Sequence, residues 1–476
     1  MTQLPNGWEM VVGLEVHTEL LTKSKLFCGC ENHFGNEPNS NVCPICLGLP
    51  GSLPVLNREA VELAMRIGMA LHCTIAPSTF HRKNYFYPDQ SKDYQISQYD
   101  LPINADGYLD LPDGSRVGIE RAHMEEDTGK TTHVGGSGRL AGADRSLVDY
   151  NRCGVPLVEI VSAPDIRSSA QARAYAAELR GILIATGASD GRMEEGSMRI
   201  DANVSVRKAG EPFGTRCEIK NLNSLRSLQR AIDYEALRQI ELLEEGGTVR
   251  QETRHWDEVM GETSTLRVKE DAEDYRYFRD PDLVDLAPSQ EWQDAVRAAL
   301  PAMPAERRAA LVATLTSPTP AQIDAIEVVI DLGLERFVHE TVAAGGDAAL
   351  AISRVANELA ANIDQAASLD ADAFVTTVKM EQSGALSATQ AKDVISILLT
   401  DGGDPAAIAK AKGYEQMSAD SLGAIVEELI AANPDEWGRY RDGDDKLAGF
   451  FTGLVMKVTK GQANGKAVVA ELQARR

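Results

Sequence analysis

No stretch of the 476-residue chain approaches the roughly 18 consecutive apolar residues that a membrane-crossing helix requires. Positive charge is scarce as well: 48 Lys and Arg face 71 Asp and Glu, a formal charge of −23. That balance excludes a coat for nucleic acid or anionic membrane held by bulk attraction, although a local basic patch is compatible with it. The opening MTQLPNGWEMVVGLEVH has no basic segment followed by an apolar one, so no secretory signal is expected. Seven cysteines, an odd number, make no disulfide framework for a chain this long, and a reducing, cytoplasmic setting is expected. Familiar catalytic loops are missing too. There is no G-x-S-x-G elbow, and Gly129-Lys130-Thr131 lacks the glycine five positions earlier that a phosphate loop needs, because Met124 stands there. Gly135-Gly136-Ser137-Gly138 has no serine–lysine constellation of an amidase around it and reads as a surface insertion.

The chemistry-bearing residues that are present crowd into one part of the chain. All seven Cys lie at or before Cys217, and seven of eight His at or before His255. Alanine-rich helical sequence follows Pro288, and Asp401-Gly402-Gly403-Asp404-Pro405 is a turn-rich break. Three domains are expected, over 1–290, 291–403 and 404–476. MVVGLEVHTEL, VPLVEIVS and MRIDANVSVR are β-branched with partial period-2 alternation, as in strands. Asn223–Glu245 reads as a helix, with Leu225, Leu228, Ile232, Ala236, Ile240 and Leu243 on one face and Gly246-Gly247 as its stop. Antiparallel strands with interspersed helices give an α+β fold.

Cys28-Gly29-Cys30 and Cys43-Pro44-Ile45-Cys46 are separated by twelve residues, a spacing that can bring four thiolates onto a structural Zn2+; buried inert thiols are the alternative. Gly48 suits a tight turn after the second pair. Glu15 and His17 fall on one face of a strand, and Glu159 sits inside an apolar strand, where an ionised carboxylate needs a cation or an Arg. His123, Glu125, Glu126 and Asp127 form a third acidic group, followed by Glu194-Glu195 and by Arg199, Asp201 and Asn203 at alternate positions. Hard oxygen donors with an imidazole suit Mg2+ or Mn2+ and, beside Arg and Lys, a nucleotide; structural ion pairs are the alternative. Arg82 and Lys83, in HRKNYFYPD, could hold phosphate, and Arg267–Phe278 has a similar basic and aromatic mix.

Taken together, GLEVHTEL, CPICLGLPGSLPVLN, RKNYFYPD, YQISQYD, HMEEDTGK and SLVDYNRCGVPLVEIVS resemble the B-type subunits of the tRNA-dependent aspartyl/glutamyl-tRNA amidotransferases, the GatB/GatE family. MEEGSMRIDANVSVR, EIKNLNS, QETRHWDE, RVKEDAEDYRYF and KVTKGQAN extend the resemblance over essentially the whole chain. It implies a cradle resembling glutamine synthetase and guanido kinases, then a helical domain and a small helical tail. It also implies ATP-dependent phosphorylation of the side-chain carboxylate of a mischarged Asp-tRNA(Asn) or Glu-tRNA(Gln). Ammonia from a separate amidase subunit then displaces phosphate, and a small third subunit completes a heterotrimer. His17, Glu126 and Glu159 are the implied catalytic Mg2+ set with Glu15 nearby, and Arg82 and Lys83 the candidates for ATP phosphate. The tail is expected to meet tRNA through Lys457, Lys460 and Lys466; between Lys446 and Arg476 six cations oppose only Glu471. A non-catalytic, zinc-containing tRNA scaffold is the competing expectation.

Overall fold

A computed structural model describes residues 4–135, 142–268, 275–414, 419–459, 463 and 465–476. The insertion over 136–141, Lys269, Glu270, Asp274 and Lys460 lie outside the described residues, as does the side chain of Lys466. The chain folds as two compact units, Met1–Met303 and Pro304–Arg476. The first is α+β and the second all helical.

In the first unit the strands are β1 (Trp8–Glu19), β2 (Thr74–Ile75), β3 (His81–Asn84), β4 (Tyr94–Ser97), β5 (Asn104–Asp110), β6 (Arg116–Glu126), β7 (Lys130–Val134), β8 (Arg145–Asp149), β9 (Pro156–Ser162), β10 (Met198–Lys208), β11 (Cys217–Leu222), β12 (Glu252–Asp257), β13 (Glu262–Val268) and β14 (Phe278–Arg279). Twelve form one sheet in the order β13-β12-β11-β10-β1-β9-β6-β4-β3-β14, with β5 also on β6 and β2 on β5; β7 and β8 pair separately. Neighbours run antiparallel except β11 and β12, which are parallel.

Period-2 alternation sorts each central strand onto two faces. Met10, Val12, Leu14 and Val16 of β1 lie on one face, with Ile200, Ala202, Val204 and Val206 of β10 and Val158 and Ile160 of β9. They share a core with helices α1 (Arg58–Ala70), α2 (Ser169–Ala185) and α3 (Leu225–Glu244). The opposite face carries Glu15, His17, Glu19, Glu159, Arg199, Asp201 and Asn203 and is where polar chemistry collects.

The expected helix over Asn223–Glu245 is α3. Ser224 caps it by accepting from the Ser227 amide, and Gly246, at φ +81°, takes the left-handed turn that ends it. Leu228, Ile232, Ala236 and Ile240 are buried, with Leu225 and Leu243 packed at the edge of the core. A fourth helix, α4 (Gln290–Ala298), adds Val296 to the same core, and Trp292 donates to Glu62 at 2.9 Å. This packing carries the first unit past residue 290, to Met303.

The second unit has two cores. One gathers residues from Leu311 to Ala409, the other from Leu422 to Leu472. The helix Pro405–Ala411 belongs to the first of these through Ala409 and Ile408, so that core continues beyond the turn at 401–405.

Candidate functional site

Antiparallel register builds the site. His17 of β1 lies opposite Glu159 of β9, and Glu159 lies opposite His123 of β6, which sets these three side chains in one row across the sheet. Glu125, two residues beyond His123, shares their face. His17 Nε2 lies 3.8 Å from Glu125 Oε1 and 3.9 Å from Glu159 Oε2. His123 Nε2 approaches Glu159 to 3.1 Å and Glu125 to 3.8 Å. One ligand atom each from His17, Glu125 and Glu159 falls within a 4.8 Å span, which fits a small cation with hard donors.

Electrostatics follow from this crowding. Burial opposes ionisation of Glu159, yet His123, His17 and Lys83 outweigh it and hold the carboxyl well below its usual range. Burial likewise works against Glu125, but His123, its Nε2 3.8 Å away, lowers it overall. His123, although buried, is pushed up to about 9, mainly by Glu159. The pair of carboxylates is therefore kept charged in a place where unpaired charge is costly. Deeper along the row, Glu19 is pushed up to about 7 by burial and by Asp127, and Asp127 itself is engaged by Arg199 at 2.9 Å and Arg152 at 3.4 Å.

His17, Glu125, Asp127, Glu159 and Arg199 line a cleft of about 330 Å3 with Glu15, Lys83, Lys220 and Tyr275. Lys83 Nζ lies 4.6 Å over the Tyr275 ring, which places part of the second basic–aromatic segment in the site. A wider cleft of about 800 Å3 shares His17, Arg199 and Lys220 with it and is rimmed by Glu194 and Glu195. Lys220 pairs with Asp201 and, at 3.2 Å, with Glu218.

Two of the expected residues lie elsewhere. Glu126 is turned to the opposite face of β6, where it pairs with buried Lys92 and accepts from the Ile96 amide at 2.9 Å. The structure groups His17 and Glu159 with Glu125, and Glu126, expected in their set, stands outside that group. Arg82 alternates with Lys83 on β3 and is likewise on the far face, bonded to Asp280 and Asp282 at 2.8 Å each. The signal for Glu125 was in the sequence: apolar Met124 must face the core, so its neighbours 123 and 125 face away, while 126 returns to Met124's side.

The family models decide the relationship. One, described as the GatB/GatE catalytic domain, matches residues 10–294, and a second, described as the GatB domain, matches 336–475. The chain belongs to the GatB/GatE family. It is 49% identical over 480 residues to the B subunit of the aspartyl/glutamyl-tRNA(Asn/Gln) amidotransferase of Nocardia farcinica, covering 97% of this chain and 94% of that protein. The proteins of the same description from Carboxydothermus hydrogenoformans and Syntrophotalea carbinolica are each 46% identical, with 97% and 98% of both chains covered.

Within this GatB/GatE chain the cysteines form a second candidate centre, between β1 and α1. The sulfurs of Cys28, Cys30, Cys43 and Cys46 lie within 4.8 Å of one another, near the ~3.8 Å expected around a tetrahedral zinc. Gly48 closes the turn at φ +65°, and a Cβ there would collide with the Lys92 side chain. A hydrogen bond with Cys28 brings Cys46 down to about 4 against burial, and burial pushes Cys30 up to about 11. The donor set therefore fits a structural metal, with no position left over for chemistry.

In the tail, Lys457 is exposed at the end of the helix Leu447–Val458 and has no ion-pair partner among the described residues. Arg475 and Arg476 are committed internally, to Glu471 and Glu427 and to Asp445. Among the described residues no helix is long and apolar enough to cross a membrane.

Proposed function

We propose that this chain is the ATP-dependent, tRNA-binding member of a glutamine-dependent amidotransferase that converts Asp-tRNA(Asn), Glu-tRNA(Gln) or both to the amides, working with an amidase subunit and a small third subunit. The convergence of His17, Glu125 and Glu159 beside Lys83 in one cleft carries this reading. A carboxylate resists ammonia because its oxygen is a poor leaving group, and phosphorylation corrects that. The side-chain oxygen attacks the γ-phosphorus, the bond to the ADP oxygen breaks, and ammonia then displaces phosphate from the acyl carbon.

Phosphoryl transfer asks for positioning and charge neutralisation more than for a covalent group on the enzyme. A divalent cation held by His17, Glu125 and Glu159 would neutralise phosphate oxygens. Lys83 adds a fixed positive charge at the same cleft. Glu15 and Asp127 flank the site. Arg82, tied to Asp280 and Asp282, shapes the opposite face and leaves phosphate to Lys83. The sheet and its helices would form a cradle of the glutamine synthetase and guanido kinase type, and the tail beyond it would grip tRNA through Lys457, with zinc fixing the cysteine knuckle.

Assembly with the two partner subunits, ATP, Mg2+, free ammonia and mischarged tRNA tests this directly, because ammonia bypasses the amidase. Wild type should form amide, and Glu125→Gln should not while still binding tRNA. Equal product from both would leave the chain as a tRNA-binding scaffold.

A further inference from the structure

Between β1 and α1, from Leu20 to Asn57, the chain forms no helix and, apart from one isolated bridge between Ser24 and Glu31, no strand. Yet it contains a fully buried lysine, Lys25. Lysine is almost never enclosed in this way unless it is paired. Arg254 and Arg354, the other buried cations among the described residues, each face a carboxylate, Glu235 at 3.3 Å and Glu381 at 2.6 Å. Lys25 has no carboxylate partner among the described residues; its ammonium donates to the Asn41 carbonyl at 3.0 Å. A carbonyl dipole does not balance a full charge, and an enclosed ammonium without a counter-charge is costly.

What surrounds this lysine is the cysteine knuckle. Its amide donates to the Cys30 carbonyl at 2.9 Å, and Asn41, which receives its ammonium, stands two residues before Cys43. Asn41 is itself pinned: its amide donates to Asn151 at 2.8 Å and its side chain to the Glu31 carbonyl at 2.7 Å. A Cβ at Gly154 would lie 3.7 Å from both Lys25 Cδ and Cys46 Cβ, so the lysine stem runs beside the second cysteine pair as well. Glu126 Oε2 borders the same point at 3.9 Å, but that carboxylate is taken by Lys92. The charge of Lys25 is also felt at the sulfur. After hydrogen bonds from Cys28 and from the Cys43 amide, and against burial, it favours the thiolate of Cys46.

Four thiolates on a divalent metal leave two negative charges in excess. We infer that Lys25 is the counter-cation of the metal-loaded knuckle, cancelling half of that excess and so raising the affinity of the four cysteines for a soft divalent ion such as zinc. A charged ammonium has no lone pair, so Lys25 acts on the metal through the thiolates and is no ligand itself. The inference rests on the reading of the knuckle as a metal site.

The test follows zinc bound to the full chain, read by elemental analysis as a chelator is raised. Lys25→Met keeps an unbranched apolar stem and removes the charge. It should bind zinc about ten- to a hundredfold more weakly, the usual loss when a group supporting metal ligands is removed. Lys25→Arg should keep most of the affinity. Cys30 is half-buried, and Cys30→His gives a centre of three thiolates with one negative charge in excess. In that background Lys25→Met should cost only about three- to tenfold, because the attraction scales with the charge. Should Lys25→Met not fold, Lys25→Gln set against Lys25→Arg makes the same contrast. An equal loss in both backgrounds would make Lys25 a packing residue, and no loss in the four-cysteine chain would detach it from the centre. Either result overturns the inference and leaves the metal reading standing. If wild type carries no zinc, both fall together.

Discussion

Two adjacent carboxylates on one strand have opposite fates. Glu125 and Glu126 are both buried, yet Glu126 pairs with Lys92, whereas Glu125 shares its imidazoles with Glu159. On the core-facing side each charge finds its partners within the protein, as Arg82 finds Asp280 and Asp282. On the cleft side two carboxylates converge on histidines, and their arrangement fits a cation supplied from outside. Charge paired away from any cleft holds a fold together; carboxylates and imidazoles gathered at a cleft fit a ligand.

The largest effect that would break this contrast concerns Glu159. Glu159→Gln should lower amide formation by about three orders of magnitude, the scale of losing several kcal/mol of charge stabilisation, with an unchanged or raised melting temperature. A variant that melts early and keeps its activity would reverse the assignment. Second is removal of the knuckle metal: Cys46→Ser should abolish the zinc measured by elemental analysis and lower the urea midpoint of the first unit, with no residue of the cleft altered. Third, Glu126→Gln should cost about 3–5 kcal/mol in urea unfolding, because Lys92 is left buried and unpaired. If it instead removes activity at full stability, Glu126 belongs to the chemistry.

A smaller effect sharpens the matched side. Glu235 is fully buried; burial opposes its charge, but Arg238, Gln239 and Arg254 hold its carboxyl below the usual range. A depressed value contributes stability that is complete above the ordinary pKa of 4.5 and is lost as pH falls through the lowered one. The stability gap between wild type and Glu235→Gln, about 2 kcal/mol at neutral pH, should therefore narrow on acidification below 4.5. The smallest effect separates the tail's cations. Lys457→Ala should weaken tRNA binding and reduce the salt slope by about one unit, whereas Arg476→Ala, already paired to Asp445, should change the slope less.

Much of this was legible in residue order, and what was not has a physical reason. The α3 helix could be read because its apolar spacing, its Ser224 cap and its glycine stop all agree. His17 and Glu159 stood out because charge inside an apolar strand demands an explanation. The choice between Glu125 and Glu126, and between Arg82 and Lys83, turned on strand phase, which a polar stretch specifies only through its few apolar members, Met124 and Ile96. The partners of Arg82 lie some 200 residues away, and no local pattern announces them. That Lys25 lacks a carboxylate is visible only once the fold has buried it against the knuckle.

The short edge strand β14 has a consequence for the birth of the molecule. It pairs Phe278 with Arg82 and Arg279 with His81, so the border of the sheet nearest Lys83 is drawn by residues made long after His17, Glu125 and Glu159. A ribosome must add nearly two hundred residues between Arg82 and its counter-ion Asp280, and until then β3 is an open edge with an unsatisfied cation. That edge of the sheet is thus covered only by a contact between segments far apart in the chain. Premature termination anywhere before Asp280 leaves that edge exposed on the nascent chain, where a second copy or a chaperone meets it first.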